Sequence, residues 1–323
     1  MKLCTMYGIE GTLSIIRGIN GVSATQTADL NVMARFWRQT RIILEMIKIE
    51  HTVFALPFAL MATVVAVHGR WPLFWEKLPW ILLAMVGARS AAMAFNRVVD
   101  RTYDAANPRT KMRAIPAGLL TVPQVVLFTI IACAVLVGAA YKLNPLALYL
   151  SPVALLLALG YSYTKRFTAF SHLFLGFALS VAPAGAWIAV TGRLDPPAMF
   201  LAGAVIFWLF GFDILYALQD TEFDKTQGLR SMSVWLGNER ALIVSRIGHV
   251  IMVGLLVGMG LTAHLGLFYF LGVVFSAVLV IYEQSLVKAN DLSKLNLAFF
   301  TLNGYISVGL FLFTLTDALI GHH

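Results

Sequence analysis

The chain contains nine long apolar runs separated by short polar segments. Each run is continuous instead of alternating at every second residue, which favours helices over the strands of a membrane barrel. About 20 residues, at ~1.5 Å each, cross a ~30 Å hydrocarbon layer. The pattern therefore predicts an all-α, polytopic membrane protein with about nine transmembrane helices. The runs cover roughly residues 52–69, 79–98, 121–141, 146–163, 169–191, 198–219, 241–262, 265–287 and 296–318.

The composition supports the same class of protein. Of the 323 residues, 59% are apolar and 12% are charged, whereas soluble domains have about 45–50% apolar and about 25% charged residues. The only cysteines are Cys4 and Cys133, so a disulfide framework and a cysteine-rich metal site are both excluded.

The net charge of +8 is distributed unevenly between the two sides of the predicted membrane domain. The side that carries the N-terminus holds 19 of the 24 Lys and Arg, and the opposite loops hold only Arg70, Lys77, Lys142 and Arg193. Basic loops remain in the cytoplasm or matrix. We therefore expect a multi-pass protein of the inner membrane, with its basic loops in the cytoplasm and no nucleic-acid partner.

The N-terminal region differs from the rest of the chain. Residues 1–33 contain no continuous apolar run, which argues against a cleaved secretory signal and predicts a mobile N-terminal tail. Residues 34–48 alternate apolar and basic side chains at helical spacing, as in a helix that lies among lipid headgroups. Residues 34–323 are expected to form one membrane domain.

Acidic residues concentrate in two windows, at the ends of the second and sixth apolar runs. In each window polar residues recur every four positions, which places them on one helix face. We call Asn96, Asp100 and Asp104 the first ladder, and Tyr216, Asp220 and Asp224 the second ladder. The similar continuations of the two windows indicate a weak internal duplication.

The two ladders predict a site for a charged ligand at one membrane face. Carboxylates that face each other repel, and oxygen ligands alone select a hard divalent cation such as Mg²⁺. Nearby Arg and Lys suit a phosphate group, whose hydrophobic body would lie in the helix bundle. The alternative is that these acids are ordinary solvated helix ends that balance nearby arginines.

These motifs resemble the UbiA superfamily of intramembrane aromatic prenyltransferases, from about Arg35 to the end of the chain. Within it, the sequence is most similar to the 4-hydroxybenzoate polyprenyltransferase branch. The resemblance rests on both ladders, on Asp213, and on the segments Asn107-Pro108-Arg109-Thr110 and Arg113-x-Ile-Pro116-x-Gly118.

The resemblance implies a central cavity that opens to lipid, and a polyprenyl diphosphate donor bound through Mg²⁺. The expected metal and diphosphate ligands are Asn96, Asp100, Asp104, Asp220 and Asp224, with Asp100 and Asp220 as catalytic groups. The expected substrate-binding residues are Lys165, Lys48, Arg113 and Tyr216. The acceptor is expected to be an aromatic acid such as 4-hydroxybenzoate, or alternatively a dihydroxynaphthoate in menaquinone synthesis.

Two charged residues lie deeper in the predicted spans. Arg89 precedes Asn96 by seven residues, and Asp213 precedes Asp220 by seven, which places both about two turns, or ~10 Å, below their ladders. We expect them to pair with each other because an unpaired charge at that depth is costly. They either line the acceptor pocket, where Arg89 orients the acid and Asp213 accepts a hydrogen bond or proton from its hydroxyl, or only tie two spans together.

A secondary transporter for an anionic substrate is the alternative from another functional class, with the acids and Arg89 as coupling groups. Against it, most of the acids lie at one membrane face instead of the midplane. Neither acidic window is interrupted by Gly or Pro. The sequence therefore favours the enzyme.

Overall fold

The computed structural model describes residues 32–47 and 52–320, and these ranges are almost entirely helical. Nearly all of the predicted N-terminal tail, and Lys48, lie outside the described residues. The α-helices are α1 Val32–Met46, α2 Thr52–Val67, α3 Trp71–Val99, α4 Arg101–Ala106, α5 Val122–Leu143, α6 Pro145–Thr164, α7 Ser171–Thr191, α8 Pro196–Ala217, α9 Thr221–Thr226, α10 Met232–Leu236, α11 Asn238–Thr262, α12 Leu267–Leu286 and α13 Asn303–Ile320.

The predicted all-α membrane fold is confirmed. Eight helical segments in the described part of the chain are long and apolar enough to cross a membrane, and a shorter apolar helix, Phe54–Val67, precedes them. The first predicted span is thus shorter than expected, because α2 ends at Val67 before a turn in which His68 and Gly69 have positive φ. In contrast, α3 begins at Trp71, before the predicted start at residue 79, with a proline in its first turn.

The helix predicted over residues 34–48 is present as α1, which ends at Met46. Its exposed side chains include Trp37 and Leu44. Arg41 Nε lies 3.0 Å from Glu45 Oε1, one helical turn further along. Such a mixture of apolar and charged exposed side chains is typical of helices at a membrane surface.

Helix α8 is the most enclosed of the long helices in the bundle, and it packs against α7 and α11. Gly176 permits the close approach of α7, because a Cβ at this position would lie 2.7 Å from the carbonyl oxygen of Ile206. Small residues have this role at many membrane helix interfaces. The C-terminal half of α8 is therefore held close to the first turns of α7.

The last span begins with a π-helical turn, Leu297–Leu302, which displaces backbone carbonyls from the regular helical pattern. The side-chain nitrogen Nδ2 of Asn303 donates hydrogen bonds to the carbonyl oxygens of Ala298 and Phe299 in this turn, at 3.1 and 3.2 Å. The same nitrogen is 2.9 Å from Glu283 Oε1 on α12. Asn303 thus stabilises the turn and joins it to the neighbouring helix.

We expect Asn303→Ala to destabilise the protein by about 2–4 kcal/mol, because it leaves several buried oxygen atoms without a donor. Thermal unfolding in detergent measures the effect as a lower Tm. Asn296→Ala is the matched control, since Asn296 is exposed just before the turn. Equal melting temperatures for Asn303→Ala and the control would contradict the role assigned to Asn303.

Candidate functional site

The middle aspartates of the two ladders have similar backbone conformations. Each middle aspartate ends a long helical segment and precedes a six-residue helix, α4 or α9. Their dihedral angles nearly coincide, with φ −92° and ψ 6° at Asp100 and φ −100° and ψ 2° at Asp220. Both values fall in the sparsely populated bridge region. This repeated interruption supports the internal duplication, and it divides each ladder between a long helical segment and a short helix.

The first ladder is held by an amide and two arginines. Asn96 Nδ2 donates a hydrogen bond to Asp100 Oδ2 at 2.8 Å, and Arg166 Nη2 lies 3.5 Å from Asp100 Oδ1. Arg113 Nη1 donates to Asp104 Oδ1 at 2.6 Å. Asp104 Oδ2 is buried, and no described residue donates to it. The ladder therefore retains an unsatisfied carboxylate oxygen.

The second ladder is paired with cations from other parts of the chain. Arg109 holds Asp220 with two parallel contacts, from Nε to Oδ1 at 3.2 Å and from Nη2 to Oδ2 at 2.6 Å. Its third nitrogen, Nη1, donates to the Tyr216 hydroxyl at 3.2 Å. Lys165 Nζ lies 2.8 Å from Oδ2 of the buried Asp224. Because Arg109 follows the first ladder in sequence, it connects the two ladders.

The loop that carries Lys165 is fixed by Arg230. The backbone N–H of Arg230 donates to the Lys165 carbonyl at 2.7 Å. The Arg230 guanidinium also donates to the Phe167 carbonyl at 2.8 Å. Two basic loops that are far apart in sequence are therefore joined directly beside the second ladder.

The donor set of the ladders suits a hard divalent cation. All the candidate ligand atoms are oxygens, and Asp104 Oδ2 has no hydrogen-bond donor among the described residues. Burial and the negative charge of Asp104 raise the pKa of the Asp100 carboxyl, as expected for two close acids. In the described ranges, no three His, Cys, Asp or Glu side chains converge on one point. Arg and Lys instead neutralise the four aspartates.

The deeper residue Asp213 has a partner, His172, that the sequence pattern does not indicate. Its Oδ2 atom lies 2.7 Å from Nδ1 of His172 on α7. The pairing of Arg89 with Asp213 stays a prediction.

An aromatic cluster lies below the second ladder. The Tyr216 ring packs on Phe299 with 4.1 Å between the ring centroids, and Phe299 contacts Phe54 and Phe212 with centroid distances of 5.8 and 5.2 Å. Tyr216 thus joins the charged ladder to an apolar interior. Such an arrangement suits a ligand with a charged head and a hydrophobic body.

Sequence comparison reveals relatives along most of the chain. A profile of the UbiA prenyltransferase family matches residues 55–305. A protein of Vibrio parahaemolyticus named 4-hydroxybenzoate octaprenyltransferase is 31% identical over 72% of this chain and 82% of its own length. A protein of the same name from Vibrio atlanticus is 30% identical over 86% of this chain and 96% of its own length.

Solved structures share the fold. A UbiA homolog from Aeropyrum pernix K1 superposes with a TM-score of 0.75 at 29% identity, covering 84% of this chain and 98% of its own. A UbiA homolog from Archaeoglobus fulgidus, bound to DMAPP and Mg²⁺, gives a TM-score of 0.61 at 20% identity and covers 86% of this chain and 99% of its own. The chain therefore belongs to the UbiA prenyltransferase family, as the two ladders predicted, and it is a membrane-embedded prenyltransferase.

Proposed function

We propose that this enzyme transfers a polyprenyl group from a polyprenyl diphosphate to an aromatic acid such as 4-hydroxybenzoate, in a Mg²⁺-dependent step of quinone synthesis. The observation that carries the proposal is the pair of matching acidic ladders, neutralised by Arg and Lys, above an aromatic interior. The names of the similar Vibrio proteins support the choice of acceptor.

The first part of the proposal concerns the metal. The residues that would hold Mg²⁺ are Asn96, Asp100, Asp104, Asp220 and Asp224. Their oxygen atoms match the preference of this ion, and the unsatisfied Asp104 Oδ2 offers a free ligand position. When bound, Mg²⁺ neutralises charge on the leaving diphosphate.

The basic residues are proposed to bind the diphosphate. Arg109, Arg113 and Lys165 now contact the ladder carboxylates at 2.6–2.8 Å. Once those carboxylates bind a cation, the same Arg and Lys side chains are available to donate to phosphate oxygens, for which the planar guanidinium is well suited. Lys48 is proposed as a further diphosphate ligand, although it lies outside the described residues.

The deeper residues are proposed to bind the acceptor. Arg89 would hold the carboxylate of the aromatic acid, and Asp213 would accept a hydrogen bond or the proton of its hydroxyl. The face of the Tyr216 ring would stabilise positive charge on the allylic carbon as its bond to the diphosphate breaks. The ring carbon ortho to the hydroxyl of the acceptor then attacks this allylic carbon.

We further propose that the enzyme lies in the inner membrane with both ladders on the cytoplasmic side. The basis is the uneven distribution of Lys and Arg between the two sets of loops. Under this proposal the basic residues determine the membrane topology and bind the diphosphate, and they do not bind nucleic acid. Membrane lipid surrounds the helices.

The proposal predicts prenylated products from purified protein, detected by mass spectrometry. The assay combines octaprenyl diphosphate with 4-hydroxybenzoate, 4-hydroxybenzamide or a dihydroxynaphthoate, with Mg²⁺ or with EDTA. We expect product from 4-hydroxybenzoate with Mg²⁺, and at least a hundredfold less with EDTA, about 3 kcal/mol. The amide should react poorly because it lacks the carboxylate that Arg89 is proposed to hold.

Two results would contradict this function. An unchanged rate of prenyl transfer in EDTA would exclude a requirement for Mg²⁺. Preferential prenylation of the dihydroxynaphthoate would instead assign the enzyme to menaquinone synthesis. Equal rates with 4-hydroxybenzoate and 4-hydroxybenzamide would contradict the proposed binding of the acceptor carboxylate by Arg89.

A further inference from the structure

His172 and Asp213 form a close pair about two helical turns below Asp220 of the second ladder. His172 is only 2% exposed, whereas the Asp213 side chain is 21% exposed. Asp213 Oδ2 lies 2.7 Å from His172 Nδ1. The carboxylate is therefore the member of the pair that retains access to a ligand.

The two ring nitrogens of His172 have different surroundings. Nε2 of His172 is buried, and no described residue forms a hydrogen bond with it. A proton on Nδ1 makes His172 the donor and Asp213 Oδ2 the acceptor in the 2.7 Å contact.

Helix packing fixes the pair. His172 lies one turn before Gly176, where α7 contacts the α8 backbone at Ile206. Asp213 follows Ile206 on α8, about two turns toward the ladder. Because the two helices cannot separate easily at this contact, the hydrogen bond restricts the rotamers of Asp213.

We infer that His172 is a positioning residue that orients the Asp213 carboxylate to take the hydroxyl proton of the aromatic acceptor. This inference rests on the proposed function. In the step, the O–H bond breaks and its proton moves to Asp213, while the electron pair stays on the oxygen and makes the ring more nucleophilic. The ring forms a C–C bond to the allylic carbon, and the C–O electron pair leaves with the diphosphate. The displaced ring proton passes to water, and Asp213 returns its proton to the oxygen, which restores the hydroxyl of the product.

The test compares two His172 variants. His172→Phe keeps a planar ring but cannot donate to Asp213, and His172→Asn retains a donor near the position of Nδ1. With 4-hydroxybenzoate, we expect kcat of His172→Phe to fall by about tenfold or more, a part of the typical general-base contribution. The KM for the prenyl diphosphate should stay within about twofold, and His172→Asn should recover most of the rate.

A more acidic acceptor supplies a readout that a purely structural role would not change. The fluorine of 3-fluoro-4-hydroxybenzoate makes the hydroxyl easier to deprotonate, so this acceptor should lose much less rate in His172→Phe than 4-hydroxybenzoate does. His249→Asn is the matched control, because His249 is also buried but bonds to the Trp208 carbonyl and to Gln284. It should leave the ratio of the two acceptor rates unchanged.

These measurements distinguish a positioning role of His172 from a purely structural one. Equal losses for the two acceptors in His172→Phe, or no loss at all, would overturn the inference. If His172→Phe does not fold, Asp213→Asn replaces it, and an unchanged acceptor ratio in that variant would also overturn the inference. Failure of the wild-type enzyme to prenylate either acceptor would instead contradict the proposed function.

Discussion

Replacing either middle ladder aspartate, as Asp100→Asn or Asp220→Asn, is expected to lower prenyl transfer about a thousandfold, equivalent to ~4 kcal/mol of transition-state stabilisation. Asparagine keeps the shape of the side chain but removes the charge that would bind Mg²⁺. Charge stabilisation by a metal site contributes several kcal/mol. The measurement is kcat of purified variants at saturating Mg²⁺ and prenyl diphosphate.

Both variants should remain folded, because the partners of these carboxylates are partly solvated. Arg109 beside Asp220 is 38% exposed, and Arg166 beside Asp100 is 33% exposed, so water can solvate each arginine after its partner is neutralised. Glu222→Gln is the control, since Glu222 lies on α9 with its side chain 85% exposed. Near-normal kcat in either aspartate variant would show that the ladder containing that aspartate is not part of the catalytic site.

The spans and the ladders could be predicted because their signals are local. A continuous apolar run indicates a membrane helix regardless of its neighbours, and a four-residue repeat places side chains on one helix face. The limits of the helices were less predictable. Helix α3 begins at Trp71 instead of 79 and contains Pro79, because a proline within a membrane helix does not necessarily end it.

The contacts of the ladders could not be predicted, because they join distant parts of the chain. Arg109 reaches Asp220 across 111 residues, and His172 reaches Asp213 across 41. A single histidine in an apolar run has no periodic partner that would distinguish it. The helix interruptions at Asp100 and Asp220 were also not predicted, since neither position carries the glycine or proline that usually marks one.

Replacing Arg109 is expected to produce the second large effect. We expect Arg109→Ala to lower kcat/KM for the prenyl diphosphate about a hundredfold, or ~2.7 kcal/mol. In the observed arrangement its guanidinium makes two contacts to Asp220 and one to Tyr216. The same planar group can contact two phosphate oxygens at once when Asp220 binds a cation. Arg109→Lys keeps the charge but loses this geometry, and its activity should lie between those of wild type and Arg109→Ala.

Inhibition by inorganic pyrophosphate distinguishes the two roles available to Arg109. If it binds the diphosphate, Arg109→Ala should weaken pyrophosphate inhibition by about tenfold or more at saturating Mg²⁺, since charge-assisted hydrogen bonds are lost. If it only orients Asp220, inhibition should return to the wild-type value once Mg²⁺ is raised. Arg101→Ala is the matched control, because the exposed Arg101 turns back to the Val98 carbonyl at 2.8 Å. A comparable loss in that control would mean that the general positive charge of this face, and not the Arg109 contacts, attracts the donor.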